Sequence, residues 1–298
     1  MRRFGGFLLA SIVVGLVVWW LARPGDLSPA TQTALAAHAA DAEAGERIFW
    51  AAGCAGCHAR PGIEATDPVE ERLVLSGGRR LESPFGTFVA PNISTDTTHG
   101  IGGWELNDFA RAMLHGVSPD STHYYPAFPY TSYNRARLED VADLWAFWQT
   151  LPADDTPSIG HELSFPFTLR GGLGVWKLLN LSDEYLLPEF PDAQVMRGRY
   201  LVEALGHCAE CHTPRNLAGG LDASRWMGGA PNPSGEGRIP PIPDPRWSAD
   251  DIEAYLFSGF TPSFDVVGGS MADVVVHMAQ LPAADRAAIA AYLRALIE

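Results

Sequence analysis

The chain has 298 residues, enough for two domains at roughly 100 to 200 residues each. Apolar residues make up 47% and charged residues 19%, which excludes a disordered or collagen-like chain. Basic side chains number 21 against 35 acidic ones, and the formal net charge of -14 opposes attraction to phosphate and argues against nucleic acid as a partner. Lys177 is the only lysine, so no lysine-rich docking patch exists, and a partner that docks electrostatically is expected to be basic.

Arg2 and Arg3 precede an uncharged run from Phe4 to Ala22. As a helix rising about 1.5 Å per residue, this run comes close to the roughly 30 Å hydrocarbon core of a bilayer. Trp19, Trp20, Arg23 and Pro24 close it where a cleavage site would be expected, and the nearest Ala-x-Ala patterns lie further on, between Ala34 and Ala40. These features favour an uncleaved anchor over a removed signal peptide, and either reading exports the rest of the chain. Residues 1–24 are therefore expected to be an anchor or signal and 25–40 a linker. The expected location is the inner membrane, with the remainder on the periplasmic side.

All four cysteines fall in two copies of one pattern, Cys54-Ala55-Gly56-Cys57-His58 and Cys208-Ala209-Glu210-Cys211-His212. In C-x-x-C-H the thiols sit one helical turn apart, where both can add to haem vinyl groups, and the next imidazole reaches the iron. A pair of disulfides or a split four-cysteine zinc site would leave both histidines without a role. Two covalently bound haem c groups are expected, held by Cys54, Cys57, Cys208 and Cys211, with His58 and His212 on iron.

The motifs mark a duplication. Trp104-Glu105-Leu106-Asn107-Asp108 through Gly116 matches Trp247-Ser248-Ala249-Asp250-Asp251 through Gly259 at a constant offset of 143, each an amphipathic helix stopped by glycine. The register carries on to pair Phe128 with Met271. Gly268-Gly269-Ser270-Met271 is expected to offer a thioether on a flexible loop as the sixth ligand of the second iron, with Met278 the lesser candidate. Phe128 has no lone pair, so the first iron needs another ligand or goes without; His123 is the candidate, ahead of Met113, His115 and His99. Arg60 and Arg215, close behind the motifs, are candidates to bind haem propionates. Leu138 to Leu151 and Ala283 to Ile297 read as the helices that end each copy. Glycines 45 and 198 would let those helices cross closely. Residues 153–192, with Phe165-Pro166-Phe167 and Trp176-Lys177-Leu178-Leu179, are too apolar to float free and are expected to pack on one or both copies.

The expected architecture is all-α, with 41–152 and 193–298 as the two haem units. The chain resembles bacterial dihaem cytochromes c built from two class I cytochrome c domains. It is similar to the cytochrome c subunit of membrane-bound alcohol and gluconate dehydrogenases in Pro91-Asn92-Ile93, Gly100-Ile101-Gly102-Gly103-Trp104 and Tyr125-Pro126-Ala127-Phe128-Pro129-Tyr130. That subunit carries three haem motifs and a methionine where this chain has Phe128. The expected function is a relay of single electrons. A periplasmic dehydrogenase or quinol-oxidising complex would be the donor, and a soluble cytochrome or terminal oxidase the acceptor. The alternatives are a haem enzyme or gas-binding sensor acting at the first haem.

Overall fold

The computed structural model describes residues 2–187, 189–233, 235 and 237–297, with side chains from residue 12 onward. Its helices are α1 (Arg2–Leu21), α2 (Pro29–Ala37), α3 (Ala42–Ala51), α4 (Cys54–His58), α5 (Leu106–His115), α6 (Tyr130–Tyr133), α7 (Leu138–Trp148), α8 (Gly171–Asn180), α9 (Ala193–Tyr200), α10 (Ala209–His212), α11 (Ala249–Ser258), α12 (Ser270–Ala279) and α13 (Ala283–Ala295). A π-helical turn, Leu201–Leu205, carries α9 into the second motif. The all-α expectation holds apart from short strands. In one small sheet β1 (Arg80–Ser83) pairs antiparallel with β2 (Gly86–Val89), which pairs with β3 (Glu162–Leu163).

Each copy is built on one crossing of two helices, α3 on α7 and α9 on α13, where a glycine lets two backbones touch. A Cβ on Gly45 would lie 1.9 Å from the Asp143 carbonyl oxygen, and one on Gly198 1.9 Å from that of Ala288. No side chain fits at either position. Gly45 lies inside α3 and Gly198 inside α9. The hydrophobic cluster runs through both copies without a break, taking Phe49, Trp50 and Leu144 from the first and Leu205, Ile289 and Tyr292 from the second.

The duplicated register survives in backbone detail. Glu105 and Asp108 cap α5 reciprocally, as Ser248 and Asp251 cap α11. Gly116 and Gly259 end these helices in the left-handed region, at φ 60 and 75. Beyond them Tyr124 N donates to Gly116 O, and Val267 N to Gly259 O, at 2.8 Å in both. The bridge Val117 to His123 repeats as Phe260 to Val266.

Residues 153–192 pack as expected. Asn92 Nδ2 holds the carbonyls of Asp154 and Thr156, and Trp176 Nε1 donates to Ala218 O in the second copy. α1 presents exposed Ile12, Val13, Val14, Leu16, Val17, Trp19 and Trp20. Among the described residues no helix is long and apolar enough to cross a membrane. Positions 4–11 of the anchor expected from the sequence lie outside the residues whose side chains are described.

Candidate haem sites

In the first motif, α3 runs through Ala52 and Gly53, at φ 65, into α4, which carries Cys54, Cys57 and His58 on a single helical turn. In the second, α10 follows the π-helical turn and brings Cys208, Cys211 and His212 into the same relation. The four thiols are unpaired. Burial pushes Cys54 and Cys208 up to about 12, so both are held as neutral thiols.

The two histidines share an arrangement that the motif alone does not reveal. Nδ1 of His58 donates to Pro91 O at 2.8 Å, and Nδ1 of His212 to Pro240 O at 2.8 Å. A proline carbonyl, which carries no N–H of its own into a ladder, fixes each imidazole as the Nδ1–H tautomer and leaves the Nε2 lone pair for a metal. Burial lowers both imidazoles, His58 to about 4, so they are neutral near pH 7. Two thiols one turn apart, followed by a neutral, oriented imidazole, suit a covalently attached haem in both copies. Among the described residues no group of three or more His, Cys, Asp or Glu could hold a metal ion by itself. The sequence signal for Pro91 was its place in the resembling Pro91-Asn92-Ile93 segment; Pro240 had none.

The sixth-ligand candidates divide. Met271 lies in the first turn of α12, half-buried against the core. It is thus on a helix rather than on the flexible loop expected from its glycines. Met278 is buried core, and Met113 is buried among Phe109 and Leu114. His123 is differently employed than expected. Its Nε2 donates to Ala22 O at 3.0 Å, and its Nδ1 accepts from Lys177 Nζ at 3.0 Å. With both ring nitrogens committed to the seat of α1, His123 as placed has no lone pair for iron. Lys177 also donates to the carbonyls of His115 and Gly116 and lies over the Tyr130 ring. The only lysine is therefore a buried staple between α8 and the end of α5.

Phe128 sits among Tyr124, Tyr130 and Tyr133, with ring centroids 5.8, 6.2 and 5.8 Å away. Tyr133 Oη donates to Ala52 O at 2.7 Å, beside the first motif. The arginines expected to bind propionates have protein partners. Arg60 is half exposed, 3.7 Å from Glu71, and Arg215 pairs with Glu210 inside the second motif at 2.5 Å.

The two motifs face one another. His207 Nε2, just before the second motif, donates to Ala52 O, just before the first, at 3.2 Å. Thr131 Oγ1 of the first copy donates to Glu210 Oε1 of the second motif at 2.5 Å. On the opposite side Arg79 donates to Gly56 O of the first motif and, at 2.8 Å, to Asp273 on α12.

The cytochrome c family model matches residues 42–152. A "Diheme cytochrome c-type" protein of Cereibacter sphaeroides is 53% identical over 295 residues, covering 98% of this chain and 97% of that protein. The fructose dehydrogenase cytochrome subunit of Gluconobacter japonicus is 36% identical over 278 residues, 90% of this chain and 55% of that subunit. The cytochrome c subunit of the quinone-dependent alcohol dehydrogenase of Gluconobacter oxydans is 31% identical over 271 residues, 82% of this chain and 53% of that subunit. The chain thus spans almost all of the first relative and about half the length of the two dehydrogenase subunits.

Proposed function

Since the chain belongs to the dihaem c-type cytochromes and binds two haem c groups covalently, we propose that it relays single electrons in the periplasm from a dehydrogenase or quinol-oxidising complex to a soluble cytochrome or terminal oxidase. The observation that carries this reading is the opposition of the two motifs, joined through His207, Ala52 and Glu210 and sealed in one continuous core. When bound, haem c supplies one-electron redox chemistry at iron. Cys54, Cys57, Cys208 and Cys211 tether the groups. His58 and His212, oriented by Pro91 and Pro240, are the proximal ligands, and the rigid interface keeps the two sites at a fixed separation.

Met271 is the sixth ligand of the second iron in this reading. Phe128 offers the first iron no thioether, so the first centre would have the lower potential and would feed the second. The exposed apolar α1, with Arg23 lying over Trp19 and Trp20, supports a membrane anchor whose exit is held by His123, Lys177 and Arg111. The dehydrogenase-subunit relatives support a dehydrogenase as donor.

A spectroscopic redox titration of the membrane fraction tests the relay. Two haems titrating at separate potentials, the higher carrying the weak red band of oxidised His/Met iron, are the expected result. A large carbon monoxide response from the reduced protein, with catalytic turnover of peroxide, would replace the relay by chemistry at the first haem.

A further inference from the structure

Among the contacts between the copies, one joins the first haem motif to the turn that carries Met271. Asp273 lies one residue beyond Ala272 from Met271, in the first turn of α12. Its carboxylate accepts from Arg72 Nη1 at 3.0 Å and from Arg79 Nη1 at 2.8 Å, both arginines belonging to the first copy. Arg72 is only 2% exposed and also donates to Glu64 O. Arg79 donates in addition to Gly56 O, inside the first haem motif, and to Ser270 Oγ at 3.4 Å, beside Met271. One guanidinium thus touches the backbone of one haem motif and the ligand turn of the other copy. The charges of Arg79 and Asp273 both reach the Cys57 thiol, with opposite effect. Among the described residues, buried His277 on the next turn of α12 also faces this cluster, with His207 beyond it.

We propose that Asp273 is a positioning residue shared by the two haem centres: gripped by Arg72 and Arg79, it seats the Met271 turn against the first motif and offsets the guanidinium charge beside Cys57. The seating half rests on the reading of Met271 as ligand; the charge half does not. A carboxylate removed from a half-buried pair leaves its cation uncompensated in a medium of low dielectric. Uncompensated positive charge favours reduced iron, which carries one positive charge fewer than oxidised iron.

The test is a redox titration of the full haem-loaded chain and of its Asp273→Asn, Asp273→Glu and Arg79→Gln variants, each checked for two haems. Asp273→Asn is expected to raise the potential of the first centre, Arg79→Gln to lower it, and Asp273→Glu to restore it. Asp273→Asn should also lower the temperature at which the red His/Met band disappears, and Asp273→Glu should recover it. A bridge that merely glues the copies predicts lower unfolding temperatures with the first potential unmoved. Shifts of the same sign in Asp273→Asn and Arg79→Gln, or none, would overturn the charge half. An unchanged band-loss temperature in Asp273→Asn would overturn the seating half. Met271→Ala, run alongside, separates the two readings: if the red band survives there, the ligand reading and the seating half fall together, while the sign reversal still decides the charge half.

Discussion

Residues 116–133 and 259–276 are two readings of one duplicated segment, and they part where two prolines enter the first. From Gly116 and Gly259 the chains follow the same path, with the same turn, the same bridge and the same positive φ at Ser121 and Phe264. In the second copy, Gly269, at φ 59, bends the chain, and Ala272 N donates to Gly269 O to start a ten-residue helix that carries Met271 in its first turn. In the first copy Pro126 and Pro129 hold the places of Gly269 and Ala272. Proline, fixed at a φ of about -65°, cannot take the positive φ that Gly269 uses to enter α12, and it lacks the opening N–H; α6 starts at Tyr130, runs four residues, and leaves Phe128 outside it in an aromatic cluster. The duplication therefore gave two haem motifs alike in detail, each followed by a segment that differs in chemistry and in secondary structure.

The largest effect that bears on this contrast is expected from Met271→Ala. It should abolish the red absorption band and lower the higher of the two potentials, whereas Phe128→Ala should leave that band untouched. Absorbance of the oxidised protein during redox titration reads both. Phe128→Met probes the contrast from the other side: a thioether returned to the first copy should raise the lower potential and reduce carbon monoxide binding, and no change in either would show that the short α6 cannot present a ligand. The shared frame should respond equally in the two copies. Gly45→Ala and Gly198→Ala each drive a Cβ against a backbone carbonyl and are expected to cost about 1–3 kcal/mol or more, seen as lower midpoints in denaturant titrations. The smallest effect is that of His123→Ala, expected to cost about 1 kcal/mol through the lost bonds to Lys177 and Ala22, with the first haem's spectrum unaltered. A changed spectrum would return His123 to the iron.

Much of this was legible in the sequence, where chemistry is written in adjacent residues. The motifs, the glycine stops at 116 and 259 and the close crossings at 45 and 198 each depend on a local pattern with a single physical reading. The fate of His123 was not, because it is decided by Lys177 and Ala22, far away in the chain, whose approach no spacing encodes. The helix under Met271 was hidden for a related reason: paired glycines read as a flexible loop, while one of them, at φ 59, serves as the bend before α12. Pro240 could not be found either, since a backbone carbonyl looks the same at every position. The Asp273 bridge spans most of the chain and leaves no mark in composition or period.

The crossings at Gly45 and Gly198 bear on how the protein is made. In each copy the thiols come early and the helix that closes over the preceding glycine comes last, α7 for the first motif and α13 for the second. As the chain is made from its N-terminus, each Cys pair precedes its own closing helix, and is open to attachment chemistry in that interval. The first copy is complete before the second has been made. Haem loading in chain order follows as the expectation, with the fit of α13 onto α9 closing the second site last.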